Sequence, residues 1–376
     1  MDVLFLSVST GGGHLKAAEA IKNVVEEKYP GSRTLIVDTL DYINPAVNKL
    51  IVGGYLGLLK STPRVYGKLY DLAESKEGLH ELYTAANTLL AIKLGKLIDD
   101  FMPSIIICTH IFPLRMLSCL KRRGKARMPV VAVITDYVSH SLWVHNNINA
   151  YIVPNDQVKN EMIMRGIPGE LIYPCGIPID KRFARKKNRD SLLRELGLED
   201  RFTVLIMGGS LGLGKLYSVF DALLNNSRDI QIIAITGYNE KLKKQLENIS
   251  SVSDKKIRIF SYTDKISDLM DISDLIITKP GGMTSAEALA KGLPMLITSV
   301  IPGQEERNAR FLVNNGAAVK ISDHSSINSV IDNIIANPSC IESMRKRAYK
   351  LAKPNSAEDI AALLEELSQK YMAEAN

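Results

Sequence analysis

The sequence of 376 residues has little cysteine, a single tryptophan and no long apolar run. Its four cysteines, Cys108, Cys119, Cys175 and Cys340, show no C-x-x-C spacing, so neither a zinc site nor a disulfide framework is indicated and a reducing compartment is favoured. No apolar stretch reaches the roughly 20 residues that span a bilayer. Since Met1–Leu6 lacks a basic flank, it predicts a first β-strand and not a signal peptide.

The composition and length indicate a globular α/β protein of two domains. A hydrophobic content of 46% with 23% charged residues is typical of a soluble chain, and 376 residues exceed one ordinary hydrophobic core. Apolar strands alternate with amphipathic helices from Val3 onward, which favours parallel sheets. A proline-rich, basic stretch after Ile172 interrupts the alternation. We place the linker there, with domains at 1–180 and 181–355 and a terminal helix within 356–376.

Positive charge is concentrated in two segments that contain no acidic residue. The net charge is only +6, but basic residues stand alone between Ile43 and Tyr70 and between Arg115 and Arg127. Such segments are commonly solvated helix faces, yet the first is interleaved with aliphatic and tyrosine side chains. That mixture is typical of a membrane interface. We therefore expect contact with an anionic membrane surface, and no nucleic-acid partner.

Two glycine turns in the second half follow predicted strands. The first lies after Phe202–Met207 and contains Gly208, Gly209 and Ser210; the second contains Gly281 and Gly282 and precedes a helix. Glycines let a phosphate approach the main chain, and a helix N-terminus offers unpaired N–H groups. Packing geometry in a sheet explains such a turn equally well. The amide and carboxylate run Pro302–Ala309 shifts the balance toward a nucleotide sugar.

The motifs K-P-G-G-M-T-S-A-E-A-L-A-K-G-L-P and I-P-G-Q-E-E-R-N-A, with S-T-G-G-G-H-L-K-A-A near the N-terminus, resemble those of diacylglycerol glycosyltransferases. That family includes monogalactosyldiacylglycerol synthases and processive diacylglycerol glucosyltransferases. A more distant similarity is to the peptidoglycan N-acetylglucosaminyltransferase that acts on undecaprenyl-linked substrate. The resemblance implies a GT-B fold, two Rossmann-like doubly wound domains facing across a cleft, with the last helix packing back on the N-terminal domain.

The resemblance also implies how a UDP-hexose is held. The diphosphate would meet main-chain N–H groups at both glycine turns, and no Asp-x-Asp metal motif is visible beside them, so neither a metal nor another cofactor is expected. Glu287 would accept from the ribose hydroxyls. The remaining predicted donor contacts are Gly208, Gly209, Ser210, Gly281, Gly282, Thr284, Gln304, Glu305 and Asn308. Ordinary loop capping is the alternative for Gln304 and Asn308.

His14 and Asp136 are the candidate catalytic residues. His14 follows Gly11-Gly12-Gly13 at a predicted helix N-terminus, which disfavours a protonated imidazole and so suits a general base. Asp136 ends a strand on the same side of the predicted sheet. One of the two would remove the acceptor proton while the other positions it; the sequence leaves open which does which. His110, His140 and His145 lie near the same strand ends without a metal-binding spacing, and Trp143 suits either a sugar or lipid contact or the core.

These observations predict an inverting glycosyltransferase that moves a hexose from a UDP-sugar to diacylglycerol or another lipid acceptor. It would act as a cytoplasmic protein, peripheral on the inner face of the cell membrane. Three alternatives stay open: an isoprenoid-diphosphate acceptor in cell-wall synthesis, a non-catalytic UDP-sugar sensor, and a dinucleotide oxidoreductase with Asp38 as the ribose-binding acid. The sequence distinguishes neither glucose from galactose nor single from repeated transfer.

Overall fold

The chain divides into two compact units. A computed structural model describes residues 1–10, 12–46, 48–49, 53–54, 57, 62–75, 92–210, 212, 215–321 and 323–375. The first unit comprises Met1–Asp180, Ile301–Gln304 and Asn355–Asn376, and the second comprises Lys181–Val300 and Glu305–Pro354. The division after Asp180 lies where the proline-rich stretch predicts a linker. The sequence does not predict that the four residues Ile301–Gln304 are counted with the first unit.

The first unit is built on a parallel six-stranded sheet with the order β2-β1-β3-β4-β5-β6. Its strands are short apolar runs: β1 Asp2–Ser7, β2 Arg33–Asp38, β3 Ile105–Cys108, β4 Val130–Val133, β5 Ala150–Ile152 and β6 Ile172–Tyr173. Successive side chains in a strand point to opposite faces, so Val3 and Phe5 enter one buried cluster while Leu4 and Leu6 enter another. Both faces of this sheet are therefore covered, as its continuous apolar strands require.

The helices of the first unit include α1 Gly13–Lys28, α2 Thr39–Ile43, α3 Pro63–Ser75, α4 Ile111–Arg122 and α5 Asp156–Met164. A further helical segment covers 92–101. The terminal helix, Ser356–Ala375, also belongs here, because its Ala357, Ile360 and Leu364 are fully buried in the same cluster as Val3 and Phe5. No described helix is long and apolar enough to cross a membrane.

The second unit repeats the architecture with the strand order β12-β11-β10-β7-β8-β9, all parallel. Its strands are β7 Phe202–Met207, β8 Ile230–Ile235, β9 Ile257–Phe260, β10 Leu275–Thr278, β11 Met295–Ile297 and β12 Ala318–Lys320. Its helices are α6 Arg189–Leu196, α7 Leu216–Leu224, α8 Glu240–Ser250, α9 Ile266–Asp271, α10 Gly282–Lys291, α11 Gln304–Asn314, α12 Ile327–Ala336 and α13 Pro338–Leu351; the terminal helix is hereafter α14.

A buried ion pair fastens the start of the second unit to its helices. Lys291, at the end of α10, bonds the carboxylate of Asp271 at 2.8 Å, and both side chains are 1% exposed. Its Nζ also donates to the carbonyl oxygens of Arg182, at 3.2 Å, and Arg185, at 2.5 Å. Burial lowers the pKa of Lys291, and Asp271 acts in the opposite direction. The ammonium therefore holds the segment after the linker against α9 and α10.

Candidate active site

His14 and the two glycine turns follow strands at the point where the strand order of each sheet reverses. That point lies between β1 and β3 in the first unit and between β7 and β10 in the second. Loops leaving the carboxyl ends of neighbouring parallel strands diverge there and leave a crevice, where open α/β sheets bind their ligands. His14 follows β1, and the glycine turns follow β7 and β10. Gly11 lies outside the described residues.

His14 is held in one orientation at the first of these points. Its Nδ1 lies 2.8 Å from the carbonyl oxygen of Thr109 and 3.0 Å from the hydroxyl of Thr135. The imidazole of His110 contacts its ring edge to face, with centroids 4.7 Å apart. Residues after β1, β3 and β4 thus converge on one half-buried side chain.

These contacts determine which nitrogen of His14 can take a proton. A carbonyl oxygen only accepts hydrogen bonds, so the 2.8 Å contact places the proton of the neutral ring on Nδ1. The lone pair is then on Nε2, which contacts no hydrogen-bonding group among the residues that the structure describes. Burial lowers the pKa of His14, while the charge of Asp136 and the Thr109 hydrogen bond counteract part of that effect. The ring is thus a neutral imidazole with one available acceptor.

Asp136 lies three residues beyond β4 and is half-buried. Its negative charge raises the pKa of His14, because it favours the protonated imidazole. The charge of Asp136 therefore acts on the other predicted catalytic residue, His14.

The other histidines of this region have structural partners. His110 Nδ1 accepts from the Phe112 N–H at 3.2 Å, and His140 Nδ1 accepts from the Leu142 N–H at 3.1 Å. Both therefore cap helix N-termini. Within the described ranges no group of three or more His, Cys, Asp or Glu side chains is arranged to hold a metal ion. Trp143 is 6% exposed and packs in the core of the first unit, which favours the core alternative for this residue.

Asp38 does not suit the ribose-binding role that an oxidoreductase requires. Its carboxylate accepts the main-chain N–H groups of Ser9, Leu40 and Asp41, at 2.9, 3.1 and 3.2 Å. It thus caps α2 and fixes the turn after β1. Its hydrogen bonds thus stabilise the local fold instead of pointing to a ribose contact.

The turn after β7 is shaped for close approach to its main chain. Gly209 has a positive φ of 71°, and Gly208 and Ser210 flank it. The Tyr238 N–H donates to the Ser210 carbonyl oxygen at 2.9 Å, which fixes the turn against the loop after β8. Successive N–H groups in such a turn form an anion-binding concavity.

The turn after β10 leads directly into α10. Gly281 is the residue before the helix and Gly282 its first residue. A Cβ at Gly281 would meet no described atom within 4 Å, and its φ of −70° suits any residue, so the fold does not itself require glycine there. The open space lies at the positive end of a ten-residue helix, on which Thr284 and Glu287 are half-buried. This turn therefore has room for an anionic group.

Lys279 is a residue that the sequence reasoning missed. Its Nζ bonds Glu305 at 2.5 Å, and its Cε lies 3.2 Å from where a Cβ of Gly209 would stand. A lysine is therefore placed between the two glycine turns. Lys279 opens the K-P-G-G motif, so the sequence did contain it. Its proximity to Gly209 depends on the pairing of β10 with β7, in which Thr278 lies opposite Met207.

Three of the predicted donor contacts have protein partners in this structure. Glu305 is the ion-pair partner of Lys279 and only 8% exposed. Asn308 is fully buried and donates from Nδ2 to the Pro280 carbonyl oxygen at 3.1 Å, so it supports the glycine turn. Gln304 accepts at Oε1 from the Tyr66 hydroxyl at 2.8 Å. Among the described residues, the Gln304 amide nitrogen Nε2 has no acceptor.

Two tyrosines form an aromatic surface beside the β7 turn. Tyr238 and Tyr262 follow β8 and β9, and their rings stack with centroids 4.5 Å apart and planes 8° from parallel. Both are exposed, at 65% and 43%. The sequence reasoning missed them because one tyrosine in a loop carries no periodic signal.

Family models match both halves of the chain. Residues 14–179 match the model of monogalactosyldiacylglycerol (MGDG) synthase, and residues 203–364 match that of the glycosyltransferase family 28 C-terminal domain. Neither model describes an oxidoreductase. The processive diacylglycerol beta-glucosyltransferase of Bacillus licheniformis is 29% identical over 378 residues, covering 99% of this chain and 96% of that protein. The enzyme of the same name from Bacillus subtilis (strain 168) is 29% identical over 363 residues, covering 95% and 93%.

Solved structures share the architecture along nearly the whole chain. MurG of Acinetobacter baumannii aligns with a TM-score of 0.64 at 14% identity, covering 97% of this chain and 99% of that one. Anabaena Alr3699/HepE in complex with UDP aligns with a TM-score of 0.58 at 17% identity, covering 97% and 100%. At these identities the likeness concerns the fold alone. The predicted α/β fold of GT-B type is confirmed.

Proposed function

The two halves of the chain match the models of MGDG synthase and of the glycosyltransferase family 28 C-terminal domain, and from this premise we propose that it transfers a hexose from a UDP-sugar to diacylglycerol at a membrane surface. The observation that carries the chemistry is the neutral His14, whose Nδ1 is bound to the Thr109 carbonyl oxygen and whose Nε2 holds the available lone pair. An alcohol is a weak nucleophile until a base removes its proton. A base fixed at the switch point of the first sheet meets that need.

In the proposed reaction Nε2 of His14 takes the proton of the primary hydroxyl of diacylglycerol. The oxygen attacks the anomeric carbon from the face opposite UDP, the bond to the diphosphate oxygen breaks, and a β-glycoside and UDP are formed. Asp136 stabilises the imidazolium, in line with its effect on the pKa of His14. This division of roles makes His14 the base and Asp136 its electrostatic partner.

We propose that residues of the second unit hold the UDP. Main-chain N–H groups at Gly208–Ser210 and at the start of α10 suit the diphosphate, and the Lys279 side chain, which is paired with Glu305, lies beside Gly209 as a further hydrogen-bond donor. The stacked rings of Tyr238 and Tyr262 offer the uracil a flat surface. Since helix dipole, amides and lysine together stabilise the leaving diphosphate, we expect no metal requirement.

Glu287 provides the first test of this donor site. Replacing it with alanine is expected to weaken UDP binding about 10- to 100-fold, because hydrogen bonds from the ribose hydroxyls to a carboxylate are lost. Isothermal titration calorimetry with UDP measures the change. The matched control is Glu247→Ala, an exposed glutamate on α8 of the same unit. Equal UDP affinity of Glu287→Ala and wild type would show that Glu287 does not bind the ribose.

We propose that α3 contacts the membrane. Its Val65, Leu69 and Leu72 are 47%, 49% and 37% exposed, and they recur at helical spacing beside exposed Arg64 and Lys68. An apolar stripe flanked by cations lies in the headgroup region of an anionic bilayer. Of the predicted membrane segment, residues 47, 50–52, 55–56, 58–61 and 76–91 lie outside the described residues.

Leu69→Glu is expected to lower binding to anionic vesicles about 10-fold or more, since it removes an apolar side chain that would enter the bilayer and adds a charge that the anionic lipids repel. Sedimentation with phosphatidylglycerol-containing vesicles measures the bound fraction, and added salt should lower wild-type binding. Met164→Glu, at an 80% exposed methionine on α5, serves as the control. If both variants sediment like wild type, α3 is not the contact.

The activity itself is tested by incubating the purified protein with anionic vesicles that contain diacylglycerol and either UDP-glucose or UDP-galactose. Analysis of the lipids shows which hexose is transferred and whether more than one is added. Vesicles carrying an isoprenoid diphosphate test the cell-wall alternative. UDP binding without release of UDP in the presence of any of these acceptors would support the sensor alternative and overturn the enzyme proposal.

A further inference from the structure

The segment Ile301–Gln304, which precedes the body of α11, is seated on α3 by three contacts within the first unit. The Tyr66 hydroxyl donates to Gln304 Oε1 at 2.8 Å, across a separation of 238 residues in the sequence. The main chain of Gly67 packs on Pro302, and that of Gly303 packs on the ring of Tyr70. Three consecutive residues of the segment are thus matched by three residues on one face of α3.

At two positions of this contact, Gly67 and Gly303, the segments approach too closely for any residue other than glycine. A Cβ at Gly67 would lie 2.5 Å from the Pro302 Cβ, well inside van der Waals contact. Gly303 has a φ of +100°, and a Cβ there would lie 3.0 Å from the Tyr70 ring. On each segment the main chain of a glycine packs against a side chain of the other segment: Gly67 against Pro302, and Gly303 against Tyr70. Neither segment can therefore shift along the other without a steric clash.

α3 is itself braced against the rest of the first unit. The ring of Tyr70 contacts that of His140 edge to face at 4.5 Å, and His140 Nε2 lies 3.1 Å from a carboxylate oxygen of Glu74. Arg165, on the loop after α5, bonds the other oxygen of that carboxylate. The Tyr66 hydroxyl is consequently presented from a helix with fixed position.

The hydrogen bond decides which way the Gln304 amide faces. With Oε1 occupied by the Tyr66 hydroxyl, the amide has two N–H donors left on Nε2. Among the described residues Nε2 has no acceptor. Hydroxyl oxygens of a hexose, and the oxygens of the phosphate that bears it, are acceptors that two fixed donors can recognise. Without Tyr66, the amide could rotate and present its oxygen instead.

We propose that Tyr66 is a positioning residue for recognition of the donor hexose. It holds Gln304 so that Nε2 donates to the sugar portion of the UDP-hexose. This inference rests on the proposed function. It makes hexose recognition depend on α3, the helix that also carries the exposed Val65, Leu69 and Leu72. The uridine and diphosphate contacts belong to other residues and do not depend on Tyr66.

The test compares UDP-hexose with UDP in the absence of lipid acceptor. Tyr66→Phe is expected to weaken UDP-hexose binding about 3- to 10-fold, the effect of one hydrogen bond, and to leave UDP binding unchanged. Gln304→Ala should show the same selective loss. The double variant should lose no more than Gln304→Ala alone, because the two residues act through one contact.

Tyr42→Phe, the same chemical change at an exposed tyrosine of α2, is the control and should bind both ligands like wild type. Calorimetry measures the affinities, and thermal unfolding checks that the variants are folded. Tyr66→Phe binding UDP-hexose like wild type would overturn the proposal, as would an equal loss for UDP and UDP-hexose, which a general loss of structure produces. Failure of wild type to bind UDP at all would instead overturn the proposed function.

Discussion

Replacement of His14 by alanine is expected to lower turnover by about 100- to 10,000-fold, the range that general base catalysis contributes. The hydroxyl of the acceptor would keep its proton as it approaches the anomeric carbon. UDP affinity should stay at the wild-type value, because the residues proposed to hold UDP belong to the second unit. Initial rates of glycolipid formation and calorimetry with UDP measure the two quantities. Turnover near the wild-type level in His14→Ala would remove His14 from the mechanism.

The pH dependence of turnover gives an independent check on the same residue. The base must be unprotonated, and burial lowers the pKa of His14 from the ordinary 6.5. Activity should therefore persist as the pH falls through 6.5 and be lost only below it. The acid limb of kcat/KM should show an apparent pKa under 6.5. An acid limb above 6.5 would contradict a neutral imidazole with a lowered pKa.

Asp136→Asn separates the two candidate bases. If His14 is the base, removing the carboxylate takes away a charge that raises the pKa of His14, so the acid limb should move to still lower pH. Turnover should fall by less than in His14→Ala, since the base remains. A loss as complete as that of His14→Ala, with no shift of the acid limb, would make Asp136 the base.

The second prediction with a large expected effect concerns the stability of the fold. Asp271→Ala is expected to lower the free energy of unfolding by about 3–5 kcal/mol, because it leaves the Lys291 ammonium buried without its counter-charge. Two main-chain carbonyls would still accept from Nζ, but neither carries a charge. Urea unfolding followed by circular dichroism measures the change.

Asp268→Ala is the matched control for that measurement. Asp268 lies on the same helix α9 and pairs with Lys187, whose side chain is 58% exposed, so the pair is screened by water. A loss of less than about 1 kcal/mol is expected. The double variant Asp271→Leu/Lys291→Met should recover much of the stability lost in Asp271→Ala. Equal midpoints for Asp271→Ala and Asp268→Ala would show that the buried pair contributes little.

The predicted site residues differ in how well a linear pattern could place them. His14 was predicted from a glycine turn after a strand, and the turn does put it at the switch point of its sheet. The tautomer could not be predicted, since it depends on the Thr109 carbonyl oxygen, which follows a different strand. Asn308 is predicted to contact the sugar or its phosphate, with loop capping as the alternative. The sequence could not show that α11 buries it fully against the Pro280 carbonyl oxygen, because that contact joins two separate segments.

Periodicity and composition by themselves determined the two α/β units and the turns that follow β1, β7 and β10, because apolar runs and glycines act through local conformation. Only the tertiary structure decided the partners: Lys279 beside Gly209, Tyr66 on Gln304, and Asp271 with Lys291. Side chains far apart in the chain meet through strand order and helix packing. A hydrogen bond across 238 residues leaves no trace in the spacing of either segment.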